Sequence, residues 1–226
     1  NFRSAPPIVR FSNIIQGLRA LLFKLNSLQP QIPWSLENNT SFNAVMRFDI
    51  HLPEVWRTLK TFKDIVFVVP CLENEETDYI KNNPFLRNHI RIEEDGSTSI
   101  PVLSASRAKG LEFNRVVVVG FGSDSPKALD EILLQYKNNA DEMESDLSLQ
   151  YFLNRLYVAV TRAKRQLIIL DSTEGMQRFW HYFSDPVASL QLQNLRQAPE
   201  TWLKHLGHLA ELPLSALTIN PENEGN

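Results

Sequence analysis

Three short apolar runs constrain the fold most: Asp64 to Pro70 (Asp-Ile-Val-Phe-Val-Val-Pro), Arg115 to Gly120 (Arg-Val-Val-Val-Val-Gly) and Gln166 to Leu170 (Gln-Leu-Ile-Ile-Leu). Each is short, rich in β-branched residues and without an alternating polar side, the pattern of a strand covered on both faces. Such strands belong to parallel sheets with helices on either side, and the segments between the runs carry helical spacing. Ser4 reads as a helix N-cap, with Pro6 and Pro7 in the first turn. Ile8, Phe11, Ile14, Ile15, Leu18, Leu21, Leu22 and Leu25 then follow at helical intervals, as a core stripe does. Phe42 to Leu52 alternates apolar and polar residues and predicts a half-buried strand. Further helices are predicted over about Pro53–Phe62, Asn74–Leu86, Pro126–Tyr136 and Glu144–Arg162, with another strand over Ile100–Ser104. The fold class is therefore α/β with a mostly parallel sheet, occupying residues 1–183. Residues 184–226 form an extension, helical over about Pro199–Leu212 and disordered from Glu222.

Composition removes several classes of function. The single cysteine, Cys71, excludes an intrachain disulfide framework and points to a reducing, cytoplasmic setting. No apolar run is long enough to span a bilayer, and no basic segment precedes an apolar one as in a secretory leader. A net charge of −3 argues against a broad basic face for nucleic acid but permits a narrow groove. His205 and His208 stand three apart on the predicted tail helix, but a metal site needs further ligands, and no metal site is assigned. The acidic residues Asp141, Glu142, Glu144 and Asp146, and Glu73, Glu75 and Glu76, are read as favourable charge at helix starts. The chain begins on Asn1, inside a motif, and is read as part of a longer protein.

Three segments carry chemistry. Asn1-Phe2-Arg3-Ser4 sets a cation before a helix N-terminus, where backbone N–H groups already favour anions. Val102 to Phe113 contains Lys109-Gly110 after a strand, where glycine permits close backbone approach. Leu156 to Lys164 contains Arg162 between a helix and a strand, read as lying on the strand-end rim where α/β folds bind ligands. Taken singly, each has a plain structural explanation: a solvated arginine, a helical turn, a charge against a helix dipole.

Together and in this order the segments resemble the superfamily 1 helicases of the UvrD, Rep and PcrA type. Asn1-Phe2-Arg3-Ser4 is similar to motif IV, Ala108-Lys109-Gly110-Leu111-Glu112-Phe113 to motif V and Tyr157-Val158-Ala159-Val160-Thr161-Arg162-Ala163 to motif VI. The resemblance spans about Asn1 to Asp171 and implies a RecA-like three-layer motor domain, the one called 2A. It implies an ATP site in a cleft shared with an N-terminal RecA-like domain of the same protein. Arg3 and Arg162 would reach the γ-phosphate as arginine fingers. Glu112 would contact the nucleotide sugar, with Gly110 and Lys109 beside it. Ser104, Ser106 and Arg107 would contact single-stranded DNA. The P-loop lysine and the Mg2+ ligands would come from the N-terminal domain, since no Gly-x-x-x-x-Gly-Lys-Ser/Thr string occurs in this chain. The sequence departs from the family at Ser104-Ala105-Ser106-Arg107, where a histidine often stands, and at Tyr151 and Asn154, where an ion pair often stands. The interval between motifs IV and V leaves no room for a 2B domain. The reading is a monomeric, compact 2A domain with no hydrolysis of its own. The alternative is a helicase-derived module that has lost catalysis and serves structure or nucleic-acid binding.

Overall fold

The protein is described from a computed structural model, which places residues 4–25, 27–34, 44–183 and 210–211. Helix α1 (Pro6–Leu22) leads into β1 (Val45–Asp49), α2 (Pro53–Leu59), β2 (Ile65–Val69), α3 (Glu76–Asn82), α4 (Pro84–His89) and β3 (Val102–Ser104). The chain continues through α5 (Ala105–Ala108), β4 (Phe113–Val119), α6 (Leu129–Asn138), α7 (Ala140–Glu144), α8 (Leu147–Val160), β5 (Ala163–Asp171) and α9 (Thr173–Arg178). A 3-10 turn follows at Trp180–Phe183, and β6 (Ala210–Glu211) closes the sheet. Among the described residues, six strands lie in the order β3-β2-β4-β5-β1-β6, and every named pairing is parallel. This is the expected α/β three-layer architecture of a RecA-like domain.

The doubly covered runs explain the layers. Val66, Val68, Val116, Val118, Leu167 and Ile169 face a core built with α1, α6 and α8. Their alternates, Phe67, Val69, Val117, Val119, Ile168 and Leu170, face a second core built with α2, α3 and α4. Adjacent strand residues point to opposite faces, so only a sheet with helices on both sides can bury such a run whole. Each fully buried valine or phenylalanine contributes about 1.5–3 kcal/mol.

Local differences from the sequence reading have physical causes. The N-cap of α1 is Ala5, not Ser4, and no side chain caps the helix. Its entrance is set instead by the Ala5 N–H donating to the Lys164 carbonyl at the start of β5 (2.7 Å). The helix also ends at Leu22, leaving Leu25 exposed. The helix predicted over Asn74–Leu86 is two helices, because Pro84 lacks an N–H and holds the preceding residue extended. Asn83, at φ −89° and ψ 113°, ends α3 and caps α4 by accepting from the Phe85 and Leu86 N–H groups. In the acidic stretch, Asp146 accepts from Leu149 N–H to start α8 and pairs with Lys127 at 2.8 Å. The predicted tail helix does not hold at its end: Ala210 and Glu211 pair as a strand with Met46 and Arg47. The rest of that helix, with His205 and His208, and the segment from Glu222 lie outside the described residues.

Candidate functional site

Arg162 follows the last turn of α8 and immediately precedes β5. A residue that precedes a parallel strand stands at the strand's amino end, so the expectation of a ligand rim at the carboxyl ends is corrected for Arg162. Its Nε donates to the Val158 carbonyl at 3.1 Å and its Nη1 to the Leu111 carbonyl at 3.1 Å. Its Nη2 donates to the Thr161 hydroxyl at 3.2 Å, and its own carbonyl accepts from Phe113 N–H at 3.0 Å. The guanidinium is thus fastened to two adjacent elements by neutral oxygens.

The Lys109–Glu112 turn leads to the same edge. Ser104 ends β3 and caps the four-residue α5 by accepting from Arg107 N–H. Residues 105–112 then return the chain to the amino end of β4. Gly110 takes φ +85°, where a side chain is strained, and a Cβ there would meet nothing within 4 Å. Lys109, Gly110, Leu111 and Glu112 are exposed, and Glu112 lies 4.0 Å from Lys164, a surface pair of small energetic weight. The fold therefore brings Leu111, with its neighbours Gly110 and Glu112, to Arg162, and Lys109 precedes them in the same turn. Ser4 and Ala5 reach this end of the sheet through the Lys164 bond. Arg3 itself lies outside the described residues.

Ser104, Ser106 and Arg107 are at the opposite, carboxyl end of the sheet. There the structure adds a residue that sequence reasoning passed over. Glu76, only 5% exposed, accepts from Ser104 N–H at 3.0 Å and faces Arg107 Nη1 at 3.7 Å. Burial pushes its carboxyl pKa up, but the bonds from Ser104 and the charge of Arg107 outweigh that and hold it below the usual value. In the sequence Glu76 looked like ordinary acidic charge at a helix start, and nothing in the string distinguishes it from Glu75.

Other carboxylates crowd this end. Asp171, 1% exposed, accepts from Gly122 N–H (2.6 Å), Ser172 N–H (2.9 Å) and Trp180 Nε1 (2.8 Å), and also from Ser123. Tyr79 donates to Asp124 at 2.7 Å. Burial and the nearby Asp171 raise the Asp124 pKa against that bond, and burial raises the Tyr79 phenol. Burial, with Glu76 and Glu75 adding to it, pushes the Cys71 thiol up to about 12, which leaves it protonated and poorly nucleophilic.

Among the described residues, no helix is long and apolar enough to cross a membrane. Compared with known families, residues 36–174 match the UvrD-like helicase C-terminal domain. None of the curated proteins compared with the chain matches it.

Proposed function

The chain belongs to the UvrD-like helicase C-terminal domain family, and from that footing we propose that it is the second motor domain of an ATP-dependent DNA helicase or translocase. The observation that carries this reading is the anchoring of Arg162 on the Leu111 carbonyl, beside the open turn at Gly110. A fixed cation next to accessible backbone fits a polyphosphate approached from another domain. ATP bound there supplies the phosphoanhydride bond that is cleaved. Arg162, with Arg3, holds positive charge at the γ-phosphoryl group, where charge develops in the transition state, and a finger of this kind is worth roughly 10³ to 10⁵ in rate. Gly110 lets backbone come close, Glu112 accepts from the sugar hydroxyls and Lys109 adds charge. The P-loop and the Mg2+ ligands belong, in this reading, to the N-terminal motor domain of the same protein.

At the other end of the sheet, the exposed Ser106 and Arg107 hold the single-strand backbone, while Ser104, 0% exposed and bonded to Glu76, sets the turn that presents them instead of touching the DNA strand. Residues 105–112 join the two ends, so cleft closure at Arg162 is coupled to grip at Arg107.

The test uses the protein that carries this chain together with its P-loop domain. Arg162→Ala lowers DNA-stimulated ATP turnover by roughly 10³-fold, the low end for a finger, with nucleotide affinity kept within about tenfold. Unchanged turnover rejects the finger role of Arg162, whereas absence of DNA-stimulated turnover in the unsubstituted protein rejects the motor and leaves the helicase-derived binding module.

A further inference from the structure

A polar cluster lies between α1 and α8. Asn13, 0% exposed in the middle of α1, accepts from Gln31 N–H and donates to the Gln31 carbonyl, both at 2.8 Å. Gln31 Nε2 in turn donates to the Tyr157 hydroxyl at 2.7 Å. The Arg19 guanidinium lies over the Tyr157 ring at 5.0 Å from its centroid, and Arg19 is itself held by Gln16 at 2.7 Å. Asparagine is a poor residue for a helix interior, and a buried amide is costly unless bonded, so the site has been built around gripping Gln31.

The far end of this chain of contacts is the arginine. The Thr161 hydroxyl faces the Tyr157 carbonyl at 2.9 Å and the Val158 carbonyl at 3.0 Å, and it accepts from Arg162 Nη2 at 3.2 Å. Arg162 Nε bonds to the same Val158 carbonyl. The guanidinium therefore rests on the last turn of α8, the part of a helix that frays first because its carbonyls lack intrahelical partners. Tyr157 is the residue of that turn whose side chain is tied to another element.

We propose that Tyr157 is a positioning residue for Arg162, with its hydroxyl held by Gln31 and Asn13 so that the last turn of α8 presents the guanidinium in one geometry. This rests on the finger role given to Arg162 above. A purely structural role, docking the Gln31 loop on the helices, predicts lost stability without a specific loss of turnover.

The experiment again uses the protein with its P-loop domain and measures kcat, KM for ATP and thermal midpoint. Tyr157→Phe keeps the ring and removes the hydroxyl, and Gln31→Leu removes the donor. Each lowers kcat about tenfold, the worth of one well-placed hydrogen bond, while KM stays within about twofold. In an Arg162→Lys background, Tyr157→Phe lowers kcat no further, because groups acting as one unit are not additive. Equal losses in both backgrounds overturn the proposal, as does wild-type kcat for both single variants while Arg162→Lys is impaired. That second outcome leaves the finger reading standing. Wild-type kcat for Arg162→Lys removes the finger and this inference with it. Should Tyr157→Phe fail to fold, Gln31→Leu alone and in the Arg162→Lys background is judged by the same criteria.

Discussion

Gly110 and Gly120 follow the same local rule for opposite reasons. Both take positive φ, +85° and +74°, Gly110 in the turn that leads into β4 and Gly120 directly after it. A Cβ on Gly110 would meet open space, whereas one on Gly120 would stand 2.5 Å from the Tyr79 hydroxyl. The amino end of the sheet is accordingly open and cationic, with Arg162 fastened by carbonyl oxygens. The carboxyl end beside Gly120 is tight and acidic: Asp124 and Asp171 are bonded there, and Gly122 would carry a Cβ only 2.6 Å from the Gly175 carbonyl. One glycine leaves room for an incoming group; the other lets packing close. A left-handed glycine beside a strand does not by itself mark a binding site, and the surrounding space decides which it is.

That contrast can be broken in order of size. Asp171→Ala strands the Gly122 amide and the Trp180 indole in the interior, which costs about 4 kcal/mol of stability. Urea unfolding checks it, and a loss under about 1 kcal/mol would mean that the acidic end is not held together by this carboxylate. Gly120→Ala costs about 2–3 kcal/mol, through strain at positive φ plus the contact with Tyr79, and Tyr79→Phe recovers part of it. Gly110→Ala carries only the backbone strain, about 1–2 kcal/mol, and weakens nucleotide binding as well. Equal stability losses for the two glycine variants, with no effect on nucleotide, would erase the distinction between the ends.

A smaller effect tests Arg107. Arg107→Glu weakens single-strand binding and reduces the salt slope by about one counterion. A titration with an unchanged slope removes Arg107 from the nucleic-acid contact. The smallest effect concerns Glu76. Its carboxyl pKa is depressed in the folded state, so its contribution to stability is complete above the ordinary value near 4.5 and disappears as pH falls through the lower folded value. The stability gap between wild type and Glu76→Gln therefore closes on going from pH 6 to pH 3, and a gap that widens on acidification contradicts the assignment.

Reading the string alone located the strands well, because β-branched runs such as Val66–Val69 leave few other options. It located boundaries less well. Pro84 was visible, but its consequence, a second helix capped by Asn83, depended on Asn83 being held extended with its side chain turned back. Ser4 looked like a cap, yet a backbone bond from Ala5 to a strand far along the chain does the anchoring. Ala210 and Glu211 carried no strand signal, since two residues are recruited to the sheet only by the edge of β1 beside them. Glu76 was indistinguishable from its neighbours because its significance is a contact with Ser104, made across the fold.

What the sequence determined by itself was the class of fold and the family: periodicity dictates which faces must be buried, and motifs V and VI are local strings whose residue types do not depend on what packs around them. What only the tertiary structure decided was the strand order β3-β2-β4-β5-β1-β6, and with it which motifs meet. Arg162 and Glu112 converge because β4 and β5 are neighbours and parallel, which places the starts of both strands on one edge. Ser104 and Arg107 fall on the other edge because they follow a strand rather than precede one. Adjacency in a sheet is set by how long-range apolar surfaces fit together, and no local run of residues encodes it.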